Sequence, residues 1–153
     1  MNITDMQILD EAGQPRTVFD FGESVRLRVK YEMNRELKDA NFVAALIRSD
    51  GVSCCNYSSL LDGFQIPGEL GEGEIELVMP PIKLVADLYA VHIVVWDAKF
   101  QQLYGAQIGG SFHVRHELFS THFGVYHENA QWSGGAAEHA AAREKSPIKL
   151  EMP

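Results

Sequence analysis

The stretch Leu88–Asp97, LYAVHIVVWD, holds residue types that can bind a sugar, in a pattern that would expose them. Successive side chains of a β-strand point to opposite faces, so a set dominated by valine and isoleucine fills one side while His92 and Trp96 fall on the other. If the apolar set is core, an imidazole and an indole remain on the outer face. Sugars bind to such surfaces, because their C–H faces stack on aromatic rings while their hydroxyl groups need hydrogen-bond donors and acceptors.

The segment SFHVR repeats this pattern. Its residues His113 and Arg115 share a face with Ser111, opposite Phe112 and Val114. If this strand lies beside the first, one exposed face carries an indole, imidazoles, a hydroxyl and a guanidinium. We therefore predict a carbohydrate-binding surface, whose candidate residues are Trp96, His92, His113, Arg115, Asn56, Tyr104 and Trp132.

In such a surface Trp96 would stack on a sugar ring, and the neighbouring polar side chains, including Asn56, would supply hydrogen bonds. The guanidinium of Arg115 suits a phosphate or carboxylate substituent, because it can bind two oxygens of such a group. The alternative is that Trp96 lies under a loop or a partner chain and fills an edge of the core.

Histidines raise a second possibility, since HVRHELFSTHFGVYH holds His113, His116, His122 and His127. A cupin-like metal-dependent sugar enzyme would collect histidine and glutamate ligands from neighbouring strands. The spacing argues against it, because residues 113 and 116 face opposite ways on a strand. Phosphate-loop, nucleophile-elbow and dinucleotide-binding motifs are also absent from the sequence. We predict no catalytic residue, no metal and no cofactor, and a protein that is not an enzyme.

The length and composition of the chain further restrict the class of protein it can be. The chain has 153 residues, a length that suits one domain. Its net charge of -8 and sequence pI near 5.1 argue against nucleic-acid binding, which depends on clustered lysine and arginine. No apolar run approaches the roughly 20 residues of a membrane span, and the first residues do not form a secretory signal. These features predict a soluble, unexported protein.

The cysteines, Cys54 and Cys55, are adjacent. Neighbours on a regular strand point to opposite faces, so a disulfide between them would be strained. We expect two reduced thiols in a cytosolic protein, since zinc sites use wider spacings.

Alternation with a period of two continues to about Val114, broken by turn signals, and predicts an antiparallel β-sandwich. SVRLRVKY is the clearest half-solvated strand, and ANFVAALIR, apolar on both faces, is typical of a central strand. Asp50-Gly51 predicts a hairpin after it. SLLDGF predicts a possible helical turn, and GELGEGE predicts a loop.

The order of these motifs resembles the C-terminal domain of Wzt-type ABC transporter ATPases. The motifs are VFDFGESVRLRVKY, a strand ending in SDG, EIELVMPPIKLVADLYAVHIVVWD, GGSFHV and GVYHENAQW, which together span Ile3 to Trp132. The resemblance implies an all-β, immunoglobulin-like, jelly-roll-like antiparallel β-sandwich over residues 1–132. It implies a non-catalytic domain that binds the terminal region of a lipid-linked polysaccharide such as O-antigen before export.

Three further expectations follow from the resemblance. The partners would be the ATPase and membrane subunits of an ABC transporter, at the cytoplasmic side of the inner membrane. Family members form homodimers by strand exchange near the C-terminus, so residues 133–153 would be a tail that is mobile or packed on a partner chain. A protein–protein interaction module using the same aromatic face is the remaining alternative.

Overall fold

The computed structural model describes residues 1–117 and 124–134. Within these ranges the chain forms no helix. The described residues therefore contain no helix that could span a membrane. Its strands are β1 (Asn2–Leu9), β2 (Val18–Asp20), β3 (Arg26–Met33), β4 (Ala40–Arg48), β5 (Ser53–Ser58), β6 (Gly71–Val78), β7 (Asp87–Asp97) and β8 (Leu103–Arg115). The all-β prediction is confirmed. Of the predicted tail, residues 135–153 lie outside the described residues.

The strands form two sheets with the apolar core between them. One sheet has the order β1-β3-β6 and the other has the order β2-β8-β7-β4-β5. All strand pairs are antiparallel except β2 and β8, which run parallel over three residue pairs beginning at Val18 and His113. The sandwich is thus confirmed, with one short parallel edge that the sequence pattern did not predict.

The predicted strand patterns of β3 and β4 are confirmed. In β3, Leu27 and Val29 are buried, while Arg26 and Arg28 face outward and both form ion pairs with Glu76 of β6 at 3.2 Å. β4 lies between β7 and β5 as a central strand, with Phe42 buried on its inner face and Val43 half-buried on its outer face. The hairpin after β4 turns at position 51, where φ is 85°.

One local prediction is wrong. Residues 71–74 of GELGEGE belong to β6, because Gly73 pairs with Tyr31 across the sheet. A Cβ on Gly73 would lie 2.3 Å from Cζ of that ring, so the glycine makes room for Tyr31, whose hydroxyl donates to the Pro67 carbonyl at 3.1 Å. Residues 59–63 form turns, one of which has the spacing of a helical turn, because the Asp62 N–H donates to the Ser58 carbonyl at 3.0 Å.

The cysteines do not follow the predicted alternation. β5 carries an extra residue relative to β4, since Leu46 pairs with Cys55 and Ile47 pairs with Ser53. A bulge of this kind leaves one residue unpaired and re-aims its side chain. Cys54 and Cys55 both line one cavity between the sheets, so the expectation that they face opposite ways is wrong.

The two long sides of the sandwich differ. On one side β1 packs against β8, where a Cβ on Gly109 would overlap the Met6 side chain. On the other side β5 and β6 each have a single neighbour among the described strands. The sandwich is therefore closed along β1 and β8, and cavities open along β5 and β6.

Candidate functional site

The outer face of the five-stranded sheet carries the residues singled out by the sequence. On the inner face of β7, Val91, Ile93 and Val95 are fully buried, whereas His92 and Trp96 on the outer face are half-buried. The indole of Trp96 therefore points away from the core, as the alternation predicted. The indole is also not freely exposed to solvent, because β7 has a neighbouring strand on each side.

A row of four paired residues crosses this face at the level of His92, and its polar members are His92 and Asn56. Ala45 of β4 pairs with both His92 and Asn56, and Ile108 of β8 pairs with His92 from the other side. Strands lie about 4.8 Å apart, so His92 and Asn56 are about 10 Å from each other. Trp96 is about 13 Å further along β7. These candidates share a face at distances that suit several sugar units.

The candidates on SFHVR lie at the opposite end of this face. His113 pairs with Leu88, which is about 26 Å along β7 from Trp96. Arg115 lies beyond it and binds Asp20, with Nε–Oδ1 at 2.8 Å and Nη2–Oδ2 at 3.1 Å. β7 and β8 are neighbours as expected, and these side chains lie on one face, but the indole of Trp96 is far from His113 and Arg115.

Tyr104 and Trp132 also stand apart from that row. The hydroxyl of Tyr104 donates to Asp39 at 2.9 Å, and this hydrogen bond raises the pKa of the phenol. The guanidinium of Arg35 lies 5.3 Å from the centre of the Tyr104 ring. Trp132 follows the last strand and is 94% exposed. Tyr104 thus helps to fix a carboxylate, while Trp132 offers an open ring.

The turn at residues 58–63 covers the outer face beside Trp96. It is held by Asn41, the cross-strand partner of Trp96, which is fully buried. Its Oδ1 accepts hydrogen bonds from the Ser58 hydroxyl at 2.9 Å and from the Leu60 N–H at 3.1 Å. Its Nδ2 has no hydrogen-bond partner within the described part of the chain.

A cavity of about 400 Å³ lies between this turn and the start of β4. Its wall contains the charged and polar side chains of Lys38, Asp39 and Gln65, and the ring of Phe64, which is 51% exposed. Ala98, two residues beyond Trp96, completes the wall. A carboxylate, an amide, an ammonium group and an exposed ring can together bind a sugar's hydroxyl groups and its apolar face.

Sequence reasoning missed this cavity. The signal available was the run from Leu60 to Phe64, which places exposed apolar residues in a turn-forming segment. An alternation pattern reports on strands, so it assigns no role to a loop that folds over the sheet.

The histidine region shows a ring cluster in its described part. Phe21 lies 4.3 Å from His116 and 6.1 Å from His127, measured between ring centres. Among residues 1–117 and 124–134, no group of three or more His, Cys, Asp or Glu side chains is placed to hold a metal ion. His122 lies outside the described residues.

The fold and this surface define a β-sandwich domain whose larger sheet carries aromatic and polar side chains on its outer face. Residues 1–128 match the family model of the Wzt C-terminal domain. The chain therefore belongs to the Wzt C-terminal domain family.

The fold is shared with a solved Wzt C-terminal domain. The crystal structure of the C-terminal domain of Wzt superposes with a TM-score of 0.68 at 11% sequence identity, covering 88% of this chain and 83% of that one. The alkylpurine DNA glycosylase AlkC of Pseudomonas fluorescens, bound to DNA containing an abasic site analog, gives a TM-score of 0.46 at 15% identity over 75% of this chain and 30% of that one. A search of curated proteins found no match.

Proposed function

We propose that this chain is a non-catalytic domain that binds the terminal region of a lipid-linked bacterial polysaccharide of the O-antigen type. In this proposal it links recognition of the glycan to export by an ABC transporter, with the ATPase and membrane subunits as partners on the cytoplasmic side of the inner membrane. Membership of the Wzt C-terminal domain family supports the transporter role. The binding role is supported by the surface beside Trp96.

The observation that carries the proposal is that an outward indole lies near a cavity whose wall holds an exposed aromatic ring and a few polar residues. Phe64 is positioned to stack on a sugar ring, while Asp39 and Gln65 can hydrogen-bond to its hydroxyl groups. Tyr104 holds the Asp39 carboxylate in place, which reduces the entropy lost on binding. Trp96 offers the next stacking surface.

The remaining candidates extend this site along the outer face. His92 and Asn56 supply donors and acceptors for further sugar units in the row across β7, β4 and β5. Affinity for a single site is expected to be about micromolar to millimolar, because desolvation of hydroxyl groups offsets much of the contact energy. A homodimer would engage two glycan chains and raise the overall affinity without new contacts.

Screening the protein against arrays of intact bacterial polysaccharides tests the proposal. A bound glycan should lose affinity at least about tenfold with Phe64→Ala or Gln65→Ala. Tyr126→Ala is the matched control, since Tyr126 is 56% exposed and lines a different cavity. If both cavity variants kept full affinity, the glycan would bind elsewhere on the protein. If no polysaccharide bound on the array, the proposed function would be wrong.

A protein–protein interaction module is the second candidate, favoured by one observation. Ile108 is 76% exposed and Leu103 is 50% exposed on the same outer face. Apolar side chains at a sheet surface are typical of interfaces when they form a continuous patch. The glycan screen separates the two, because an interaction module would bind no polysaccharide. A cupin-like enzyme would instead carry stoichiometric metal, which elemental analysis of the purified protein would detect.

A further inference from the structure

The bulge in β5 creates a site that the proposed function does not use. Cys55 is paired with the buried Leu46, and the unpaired Cys54 packs against the same core as Cys55. Both thiols pack against the core and line a cavity of about 410 Å³ at the open side of the sandwich. Tyr57 and Tyr126 form part of the same wall. Two adjacent thiols thus open into one solvent-accessible space.

Both thiols are free and half-buried. The Cys54 thiol donates to the Val52 carbonyl at 3.4 Å. Burial raises the pKa of Cys54 and of Cys55, so both remain protonated at neutral pH. Neutral thiols are slow nucleophiles toward disulfides and peroxides, which need the thiolate. A reagent suited to this pair should form bonds to both sulfur atoms and carry away the thiol protons in the water that it releases.

Direct disulfide formation does not suit the pair. Consecutive Cα atoms are about 3.8 Å apart across a trans peptide bond, whereas disulfides span about 4.4 to 6.8 Å between Cα atoms. An atom placed between the two sulfurs lengthens the bridge and relieves this mismatch. The atom must be soft, since soft thiolate ligands select soft metals and metalloids.

We propose that Cys54 and Cys55 form a vicinal dithiol site that chelates one trivalent arsenic atom. With phenylarsine oxide, the arsenic–oxygen bond and two S–H bonds break and two arsenic–sulfur bonds form. The oxygen leaves with both thiol protons as one water molecule. Arsenic stays trivalent, so the reaction needs no oxidant or reductant.

The test is native mass spectrometry of the folded protein after treatment with phenylarsine oxide. We expect one phenylarsenic unit per chain, retained in excess 2-mercaptoethanol and released by 2,3-dimercaptopropanol, because only a dithiol competes with a chelate. The Cys54→Ser and Cys55→Ser variants should each lose the adduct to 2-mercaptoethanol at least about tenfold faster than the wild type. In the wild type the second thiol is held at high effective concentration and re-forms its arsenic–sulfur bond.

A second variant tests the geometry. In Ser53→Cys/Cys54→Ser the chain keeps two cysteines, but the residue at position 53 pairs with Ile47 on the outer face while Cys55 stays inside. Its adduct should be labile to 2-mercaptoethanol. A labile wild-type adduct, two adducts per chain, or reaction only after unfolding in urea would overturn the proposal, and these wild-type results decide it even if a variant does not fold.

Discussion

Trp96 pairs with Asn41 where β7 lies beside β4, and the two residues differ in how deeply they are buried. The indole is half-buried on the outer face, whereas Asn41 is fully buried under the turn that follows β5. The Ser58 hydroxyl and the Leu60 N–H of that turn both donate hydrogen bonds to the Asn41 side-chain oxygen. The residue beside the proposed stacking ring therefore holds the wall of the proposed sugar cavity.

Replacing Asn41 should destabilise the fold. Asn41→Ala removes the acceptor for the Leu60 N–H and the Ser58 hydroxyl, and a buried donor left without a partner costs about 1 to 3 kcal/mol. We expect the free energy of unfolding to fall by about 2 kcal/mol, measured by urea denaturation. Asn56→Ala, at an exposed position of β5, should change it by less than about 0.5 kcal/mol. Equal effects of the two variants would show that the Asn41 hydrogen bonds do not hold the turn.

The strands that position the site could be predicted from the sequence because their side-chain pattern has the same period as their backbone. Val91, Ile93 and Val95 alternate with His92 and Trp96, and only one arrangement buries the first set. The spacing of these strands and of the turn signals between them predicted an antiparallel sandwich, and the family resemblance added that it is immunoglobulin-like.

The rest depended on contacts between segments distant in sequence. The inward position of Cys54 depends on a pairing shift against β4, and the strand at residues 71–74 depends on the Tyr31 ring needing the space beside Gly73. The cavity near Phe64 exists because a turn folds onto a buried asparagine. No local pattern of residue types records such contacts, since each is decided by the partner strand.

Adding a side chain at position 73 should displace the Tyr31 ring. A Cβ on Gly73 would lie 2.4 Å from the Tyr31 hydroxyl oxygen, and that hydroxyl donates to Pro67 at 3.1 Å. Overpacking of this kind costs about 1 to 3 kcal/mol, so Gly73→Val should lower the Tm by several degrees. The control is Gly134→Val, where no atom of the described residues, apart from the chain neighbours, lies within 4 Å of the added Cβ. If both variants melt at the wild-type temperature, the ring does not occupy that space.

Alkaline pH should destabilise the protein through Tyr89. Burial raises the pKa of this fully buried phenol, whose hydroxyl donates to the Val85 carbonyl at 2.6 Å. Above about pH 10 the tyrosine ionises in the unfolded chain and stays protonated in the folded one, so the unfolded state binds fewer protons. The free energy of unfolding then falls as pH rises, by about 1.4 kcal/mol per pH unit for one such group.

Urea denaturation of Tyr89→Phe at several pH values from 7 to 11 measures this contribution. At pH 7 the variant should be less stable by about 1 kcal/mol, because the Val85 carbonyl loses its donor. Above pH 10 its stability should fall less steeply than that of the wild type. Parallel curves for the two proteins would show that another group causes the alkaline loss.

The separation of Trp96 from Arg115 gives a prediction about glycan length, which depends on the proposed function. The two residues lie at opposite ends of the outer face, more than about 26 Å apart along β7, so no single sugar unit reaches both. Trp96→Ala should weaken binding of short and long glycan fragments alike, by about tenfold or more. Arg115→Ala should weaken binding of long fragments only.

Isothermal titration with size-fractionated fragments of a polysaccharide that binds on the array measures both effects. Arg115 is already engaged by Asp20, so a glycan must compete for the guanidinium, and the loss with Arg115→Ala should be a few-fold at most. Asp20→Ala is the matched control, since it frees Arg115 and should strengthen binding of long anionic fragments. If Arg115→Ala weakened short fragments as strongly as Trp96→Ala does, the glycan would lie at the Arg115 end and the cavity beside Phe64 would not be its site.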